Sequence, residues 1–357
     1  MRRSLIEGQQ ARYWELDFLK GLSILAIVIL HIAQGYRFMP SLPPFFHRAV
    51  SPGGAGGHVF VFCSGFGLYL SHARNPLSYG AFLRRRFFKI YIPYILVVLL
   101  SFILSFFFRW IYDEPDKLQA LCSHVFLYKM FSVRYEESFG TQMWFVSTII
   151  QFYLISVPLF RAAEKLGVRR LLLLSCAASL AWSVFVVCAG LSEIRIWNSF
   201  FAQFLWEYVL GFACADYLLR GKQFRLDTGM LLLFTVLFLG LYALMGLRGS
   251  WLRNLNDAPA FLGFLAFCLL LRNLMGPPLL QAVSKIGSIS YELFLLHILV
   301  FNLVFDAADA LSDFWSRPLS AQLFLGLVAV LLSIAAAFLY HGLVTHFSRR
   351  RAKLSVR

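Results

Sequence analysis

The residues best placed to do chemistry sit in the first apolar stretch of the chain, Asp17-Phe-Leu-Lys20-Gly-Leu-Ser-Ile-Leu-Ala-Ile-Val-Ile-Leu-His31. An ionisable side chain at such depth is expensive, which makes His31 a functional-site candidate. Eleven helical steps of about 100° bring His31 back to nearly the face of Lys20. Asp17 lies one turn before Lys20 on a neighbouring line. The pattern is a polar stripe, with a charged pair at the helix entrance and an imidazole roughly 16 Å further along. An imidazole can act as a general base near neutral pH. The structural alternative is a ring bonded to a neighbouring helix, with Asp17 and Lys20 as interfacial anchors. Lys20 cannot reach His31, so the two serve different parts of one long ligand or different purposes.

Other polar groups recur at helical spacing. The segment His58-Val-Phe-Val-Phe-Cys-Ser64-Gly65-Phe-Gly67 offers Ser64 as a nucleophile, but no base or oxyanion donor accompanies it in sequence. Its glycines suit close helix packing. The run Arg84-Arg85-Arg86-Phe-Phe-Lys89 reads first as a cytoplasmic charge cluster. Arg86 and Lys89, one turn apart, also suit the phosphates of a nucleotide-bearing donor. Gln151 and Glu207 are expected to bond between helices, since polar groups inside a membrane need partners. Ser288-Ile-Ser-Tyr291-Glu-Leu-Phe-Leu-Leu-His297 adds Tyr291 and His297, each a second site residue or a structural one.

The elements that must position these groups follow from composition. The chain is 59% hydrophobic and 14% charged, with 38 Phe and a mean hydropathy of +0.70. A soluble protein carries nearer a quarter charged residues. Apolar runs of bilayer-crossing length recur. The expectation is an all-α, polytopic membrane helix bundle of about ten transmembrane helices, over roughly 17–36, 56–73, 87–109, 141–160, 171–190, 200–219, 230–247, 259–272, 286–305 and 320–346. The first is read as a retained helix, because no clear cleavage site follows it. The eighth is short, and the amphipathic Leu118–Phe131 reads as a surface or re-entrant helix.

Charge orients the bundle. With the N-terminus inside, the inner segments hold Arg2, Arg3, Arg12; Arg74, Arg84, Arg85, Arg86, Lys89; Arg161, Lys165, Arg169, Arg170; Arg220, Lys222, Arg225; Arg272, Lys285; and Arg349, Arg350, Arg351, Lys353, Arg357. These are 22 of the 33 basic residues, while Asp113, Glu114, Asp116, Glu136, Glu137, Asp306, Asp309 and Asp313 fall outside. The bias matches the positive-inside rule with both termini cytoplasmic. It accounts for most of the +15 net charge without a nucleic-acid partner. Of six cysteines, only Cys122 falls clearly in an external loop, so neither a disulfide framework nor a metal site is expected. The chain reads as one membrane domain over 1–357, with no soluble domain.

In order and spacing, these segments resemble the acyltransferase-3 family of integral membrane O-acyltransferases over about 10–300. The family's opening acid, base and His correspond to Asp17, Lys20 and His31. Its Phe-rich segment ending in Ser-Gly-Phe corresponds to Val61–Phe66, and its basic run before an aromatic-Pro-Tyr helix start to Arg84–Tyr94. A Trp-led span ending in Phe-Tyr and Pro corresponds to Trp144–Pro158, and the closing Ser-Tyr…His signature to Gly287–His297. Two departures stand out. Lys20 replaces the usual Arg, and Arg86-Phe-Phe-Lys89 replaces Arg-x-x-Arg. Lys keeps the charge but loses the bidentate fork. Gln151 also stands where many members carry Glu, so no acid chemistry is assigned there.

The resemblance implies transfer of an acyl group, acetyl foremost, from cytoplasmic acyl-CoA (acetyl-CoA) to a hydroxyl of a cell-surface glycan or lipid-linked sugar. His31 is then the general base, with acyl-His as a covalent variant, and Asp17 orients Lys20. Lys20, Arg85, Arg86 and Lys89 hold the donor; Ser64, Tyr291 and His297 are further candidates, and no metal is implied. Membrane lipid is a partner, at the cytoplasmic membrane. Some members carry an extracytoplasmic hydrolase-like domain, and its lack here implies direct delivery or hand-off to a separate extracytoplasmic transferase. The rival readings are a glycan or small-solute exporter and the membrane half of a sensor or amino-acid supply system. Dependence on acyl-CoA separates them from the transferase.

Overall fold

The computed structural model describes residues 14–35, 44–108, 111–224, 226–247, 253–312 and 317–354. The first half of the chain forms α1 (Trp14–Gly35), α2 (Pro44–Val50), α3 (Gly56–Arg74), α4 (Tyr79–Leu104), α5 (Lys117–Val125), α6 (Trp144–Leu166) and α7 (Val168–Cys188). The second half forms α8 (Arg195–Asn198), α9 (Leu205–Leu219), α10 (Thr228–Gly246), α11 (Arg253–Leu274), α12 (Pro277–Ser288), α13 (Ser290–Ser312) and α14 (Leu319–Leu354). No strand occurs among the described residues. Arg2, Arg3, Arg12, Arg225, Asp313 and Arg357 lie outside them, as do the side chains of Arg349, Arg350, Arg351 and Lys353.

Ten long helices overlie the ten expected spans, and eight of them are long and apolar enough to cross a membrane. The other two are α3, which carries His58, Ser64 and His72, and α9, which is only 15 residues long. These two pack against each other inside the bundle. A Cβ at Gly65 would stand 2.1 Å from the Tyr208 carbonyl oxygen, and one at Gly211 2.4 Å from that of Phe62. Gly65 and Gly211 therefore let the two backbones touch, the ordinary use of small residues between membrane helices. Gly67 does not: nothing lies within 4 Å of an added Cβ there. At the opposite extreme, α10 turns most of its leucines and phenylalanines outward, where lipid receives them.

Local signals set the helix ends. Ser78 and Asp227 cap α4 and α10 with side-chain oxygens that accept from the Ala81 and Met230 amides, satisfying donors that the first turn leaves open. Gly167, at φ +79°, separates α6 from α7 with a conformation that suits glycine alone.

Three boundaries differ from the expectation. The eighth span is longer than 259–272, because α11 begins at Arg253; its polar start faces an internal cavity through Asn254 and Asp257, so hydropathy fails to register it. The expected 286–305 span is α13 apart from its first residues, which close an amphipathic α12 lying along α1; the helical path breaks between the two at Ile289 (φ −115°, ψ 16°). The Leu118–Phe131 segment resolves into α5 and a single turn of tighter helix at Lys129–Phe131. It packs against α4, with Ala120, Ser123 and His124 buried.

The contact between α1 and α12 is backbone to backbone. A Cβ on Gly287 would lie 1.7 Å from the Asp17 carbonyl oxygen, and one on Gly21 2.1 Å from that of Val283. The start of α1, where Asp17 and Lys20 sit, is seated by this contact.

Candidate functional site

His31 meets His297 across the α1–α13 contact, with Nδ1 of His31 2.7 Å from Nε2 of His297. The partners fix the protons. Nδ1 of His297 lies 3.0 Å from the Leu293 carbonyl oxygen, which can only accept, so that nitrogen carries the hydrogen. Its Nε2 is then the acceptor of a neutral ring, and His31 Nδ1 donates to it. This leaves Nε2 of His31 with an open lone pair. His297 is fully buried, against Phe301 and Phe294. His31 is half-buried and lines a cavity of about 670 Å³ at the end of the bundle where α1 finishes. Gln34, Gln142, Arg195 and Asn302 line it too, and the Arg195 guanidinium lies 5.2 Å over the Trp144 ring.

A second cavity, of about 700 Å³, opens at the end where α1 starts. Lys20, Arg86 and Lys89 line it. Lys20 is held at 2.8 Å by Asp17, itself nearly buried in the first turn of α1, where a carboxylate also complements the helix dipole. Among the described residues, Nε of Arg86 is buried without a hydrogen-bond partner. Glu292 and His341, bonded at 2.8 Å, line it as well.

Ser64 and Tyr291 also line this second cavity, not the one at His31. The Tyr291 hydroxyl is committed to the Ile90 carbonyl at 2.8 Å, tying α13 to α4. Arg85 is exposed and lines neither cavity.

Three aromatic side chains, Phe60, Phe145 and Phe294, line both cavities and form the wall between them. The Phe145 ring lies 6.3 Å from Phe60 and 5.6 Å from Phe294. The polar stripe of α1 is thus divided, with Asp17 and Lys20 on one side of a wall and His31 on the other.

Residues 13–339 match the sequence pattern of the acyltransferase domain of that family. The chain belongs to the acyltransferase-3 family. It is a multi-pass membrane acyltransferase. No curated protein and no solved structure matches it. Among the described residues, no group of three or more His, Cys, Asp and Glu side chains is arranged to hold a metal ion.

This acyltransferase carries a second imidazole in the His31 cavity that sequence reasoning passed over. His58 lines it from α3, with Nδ1 2.7 Å from Oε1 of the fully buried Glu207. Asp257 stands opposite on α11, its Oδ2 accepting from Gln203 at 2.9 Å. Glu207 does bond between helices, as expected, and Gln151 accepts from the Phe201 amide at 3.2 Å. A signal for His58 was present, since it is an ionisable residue opening an apolar run. Its carboxylate partner is 149 residues distant, so nothing near it in the chain marks the pair.

Proposed function

We propose that this membrane acyltransferase moves an acyl group, acetyl foremost, from acyl-CoA in the Lys20 cavity to a hydroxyl of a cell-surface glycan or lipid-linked sugar in the His31 cavity. The observation that carries this reading is the pair of cavities with complementary chemistry on either side of a thin aromatic wall. By the charge bias of the sequence, the Lys20 cavity faces the cytoplasm, where acyl-CoA is found.

The residues at hand suit the donor. Lys20, Arg86 and Lys89 supply three cations to one cavity, as CoA phosphates require. The unpartnered Nε of Arg86 is a buried donor awaiting an acceptor, and a phosphate oxygen satisfies it. With the phosphates there, the acyl end of the donor points at the Phe60–Phe145–Phe294 wall and toward His31.

His31 acts through Nε2, either drawing the proton from the acceptor hydroxyl or attacking the thioester carbonyl and carrying the acyl group itself. In both cases a positive charge develops on the imidazole. His297 receives the Nδ1 proton through the 2.7 Å bond and so spreads that charge, while the Leu293 carbonyl keeps His297 in the accepting tautomer. Asp17 and Lys20 serve donor placement, since about 21 Å and about 16 Å of helix, respectively, separate them from the imidazole.

Purified protein in lipid nanodiscs, supplied with labelled acetyl-CoA and succinyl-CoA, tests this. Wild type should release free CoA, His31→Ala should bind donor without turning it over, and Lys20→Ala should raise the donor KM. An exporter neither binds nor consumes acyl-CoA, so a wild-type protein inert toward both donors refutes the proposal.

A further inference from the structure

The His31 cavity holds two imidazoles, and the reading above uses only one. His58 enters it from α3 with Nδ1 bonded at 2.7 Å to Oε1 of Glu207, a carboxylate with no exposure at all. A carboxylate only accepts, so Nδ1 carries the hydrogen and Nε2 is the nitrogen left for the cavity. The nearest carboxylate to Nε2 is Asp257, with Oδ1 at 3.9 Å, beyond hydrogen-bond reach. A ligand oxygen in the cavity, set off the line between them, can lie within hydrogen-bond distance of both. An imidazole oriented through one nitrogen by a buried carboxylate, its other nitrogen facing a cavity, has the geometry of an activated general base. Glu207 has no other bonding in the bundle, because its Oε2 is buried without a partner. Among the described residues, holding His58 is the one hydrogen-bonding task it performs.

We infer that His58, oriented by Glu207, is the base that activates the acceptor hydroxyl against an acyl group carried on His31. The inference rests on the transfer reading above and selects its two-step form. In the first step the lone pair of His31 Nε2 attacks the thioester carbonyl and the C–S bond breaks. The thiolate leaves on the Lys20 side and takes a proton there. In the second step the acceptor oxygen attacks the acyl carbon while its proton passes to His58 Nε2. The C–N bond breaks, its electron pair returns to His31, and His58 gives its proton to water. An acylated His31 has lost the lone pair with which it would serve as base, so the second step needs another group, and His58 is the imidazole in the same cavity. Glu207 acts through His58 and is a positioning residue.

The test needs no knowledge of the natural acceptor, because water and hydroxylamine both deacylate an acyl-imidazole. Hydroxylamine attacks without help from a base. Protein in nanodiscs is mixed with acetyl-CoA, and both free CoA and the intact mass of the protein are followed. In His58→Gln, His58→Asn and Glu207→Gln, about one equivalent of CoA should appear. The protein should then hold the mass of one acetyl group, with a lifetime about 10²–10⁴-fold longer than in wild type. Hydroxylamine should restore turnover in all three. Variants with wild-type melting that deacylate at the wild-type rate, that release no CoA, or that hydroxylamine does not rescue would overturn the inference. Wild-type protein that releases no CoA would overturn the transfer reading, and this one with it.

Discussion

Gly287→Ala isolates what the seat of α1 does for donor binding. The added Cβ would begin 1.7 Å from the Asp17 carbonyl oxygen and 2.8 Å from the Gly21 amide nitrogen, and both neighbours are backbone. Real Cβ atoms essentially never come closer than 3.0 Å, so α12 and the start of α1 must separate by about 1.3 Å. Overpacking of this kind costs about 1–3 kcal/mol. The displacement falls on the turn that holds Asp17 and Lys20, while His31 lies about 16–21 Å further along the helix. A hydrogen bond to a charged group contributes about 1.5–3 kcal/mol. Weakening the Lys20 contact by half should therefore raise the donor KM about three- to tenfold, with kcat within about twofold. The assay is steady-state CoA release against donor concentration, beside a thermal melt in detergent. Gly240→Ala is the control, since nothing lies within 4 Å of its Cβ and alanine favours the helix. Wild-type melting and wild-type KM in Gly287→Ala would refute the claim that this contact seats the donor site.

Replacing His297 with Phe removes the acceptor of the His31 Nδ1 hydrogen, and kcat should fall about 10²-fold with donor affinity unchanged; equilibrium binding of labelled donor separates the two. Phe60→Ala should thin the wall between the cavities, which competition between acetyl-CoA and longer acyl donors would register as a shift toward the longer chain. The segment 111–143, which joins α4 to α6, should also respond to pH. Burial, with the Lys129 charge beside it, holds the His124 imidazole well below its usual range. Burial likewise pulls the Lys129 ammonium down to about 7, against the raising effect of Glu136 and Glu137. Both groups bind protons more readily when the segment opens. Its stability should therefore fall with His124 as pH drops below about 6.5, and rise with Lys129 from about pH 7 toward about 10. Hydrogen exchange over 117–138, corrected for intrinsic rate, should show greater protection at pH 8 than at pH 5.5, and His124→Asn should flatten the acid limb. Protection independent of pH would contradict the assignment.

The helices were legible because a bilayer demands long apolar runs, and eight of the ten expected spans are helices of that kind. Legibility failed where polarity served an interior. The first residues of α11 resemble a loop because Asn254 and Asp257 face a cavity rather than lipid. The division of α1 was hidden as well. Helical spacing put Lys20 and His31 on one face, but the aromatic wall comes from α3, α6 and α13, and one helix's periodicity carries no trace of it. Pairings between distant helices, His31 with His297 and His58 with Glu207, lie 266 and 149 residues apart. Each residue was visible, but its partner was not. The cations of the Lys20 cavity were readable because three of them share two short motifs.

The wall of Phe60, Phe145 and Phe294 has an electrical consequence. A single enclosed site would let the acceptor's proton pass straight to the departing thiolate, and the reaction would be electroneutral. Under the transfer proposed above, with the thiolate on one side and the hydroxyl on the other, one proton is consumed at the first face and one released at the second for every acyl group that crosses. Transfer through the wall therefore counts as the outward passage of one elementary charge. Each 100 mV of inside-negative potential then opposes it by about 2.3 kcal/mol, and the thioester's free energy must cover that in addition to the chemistry.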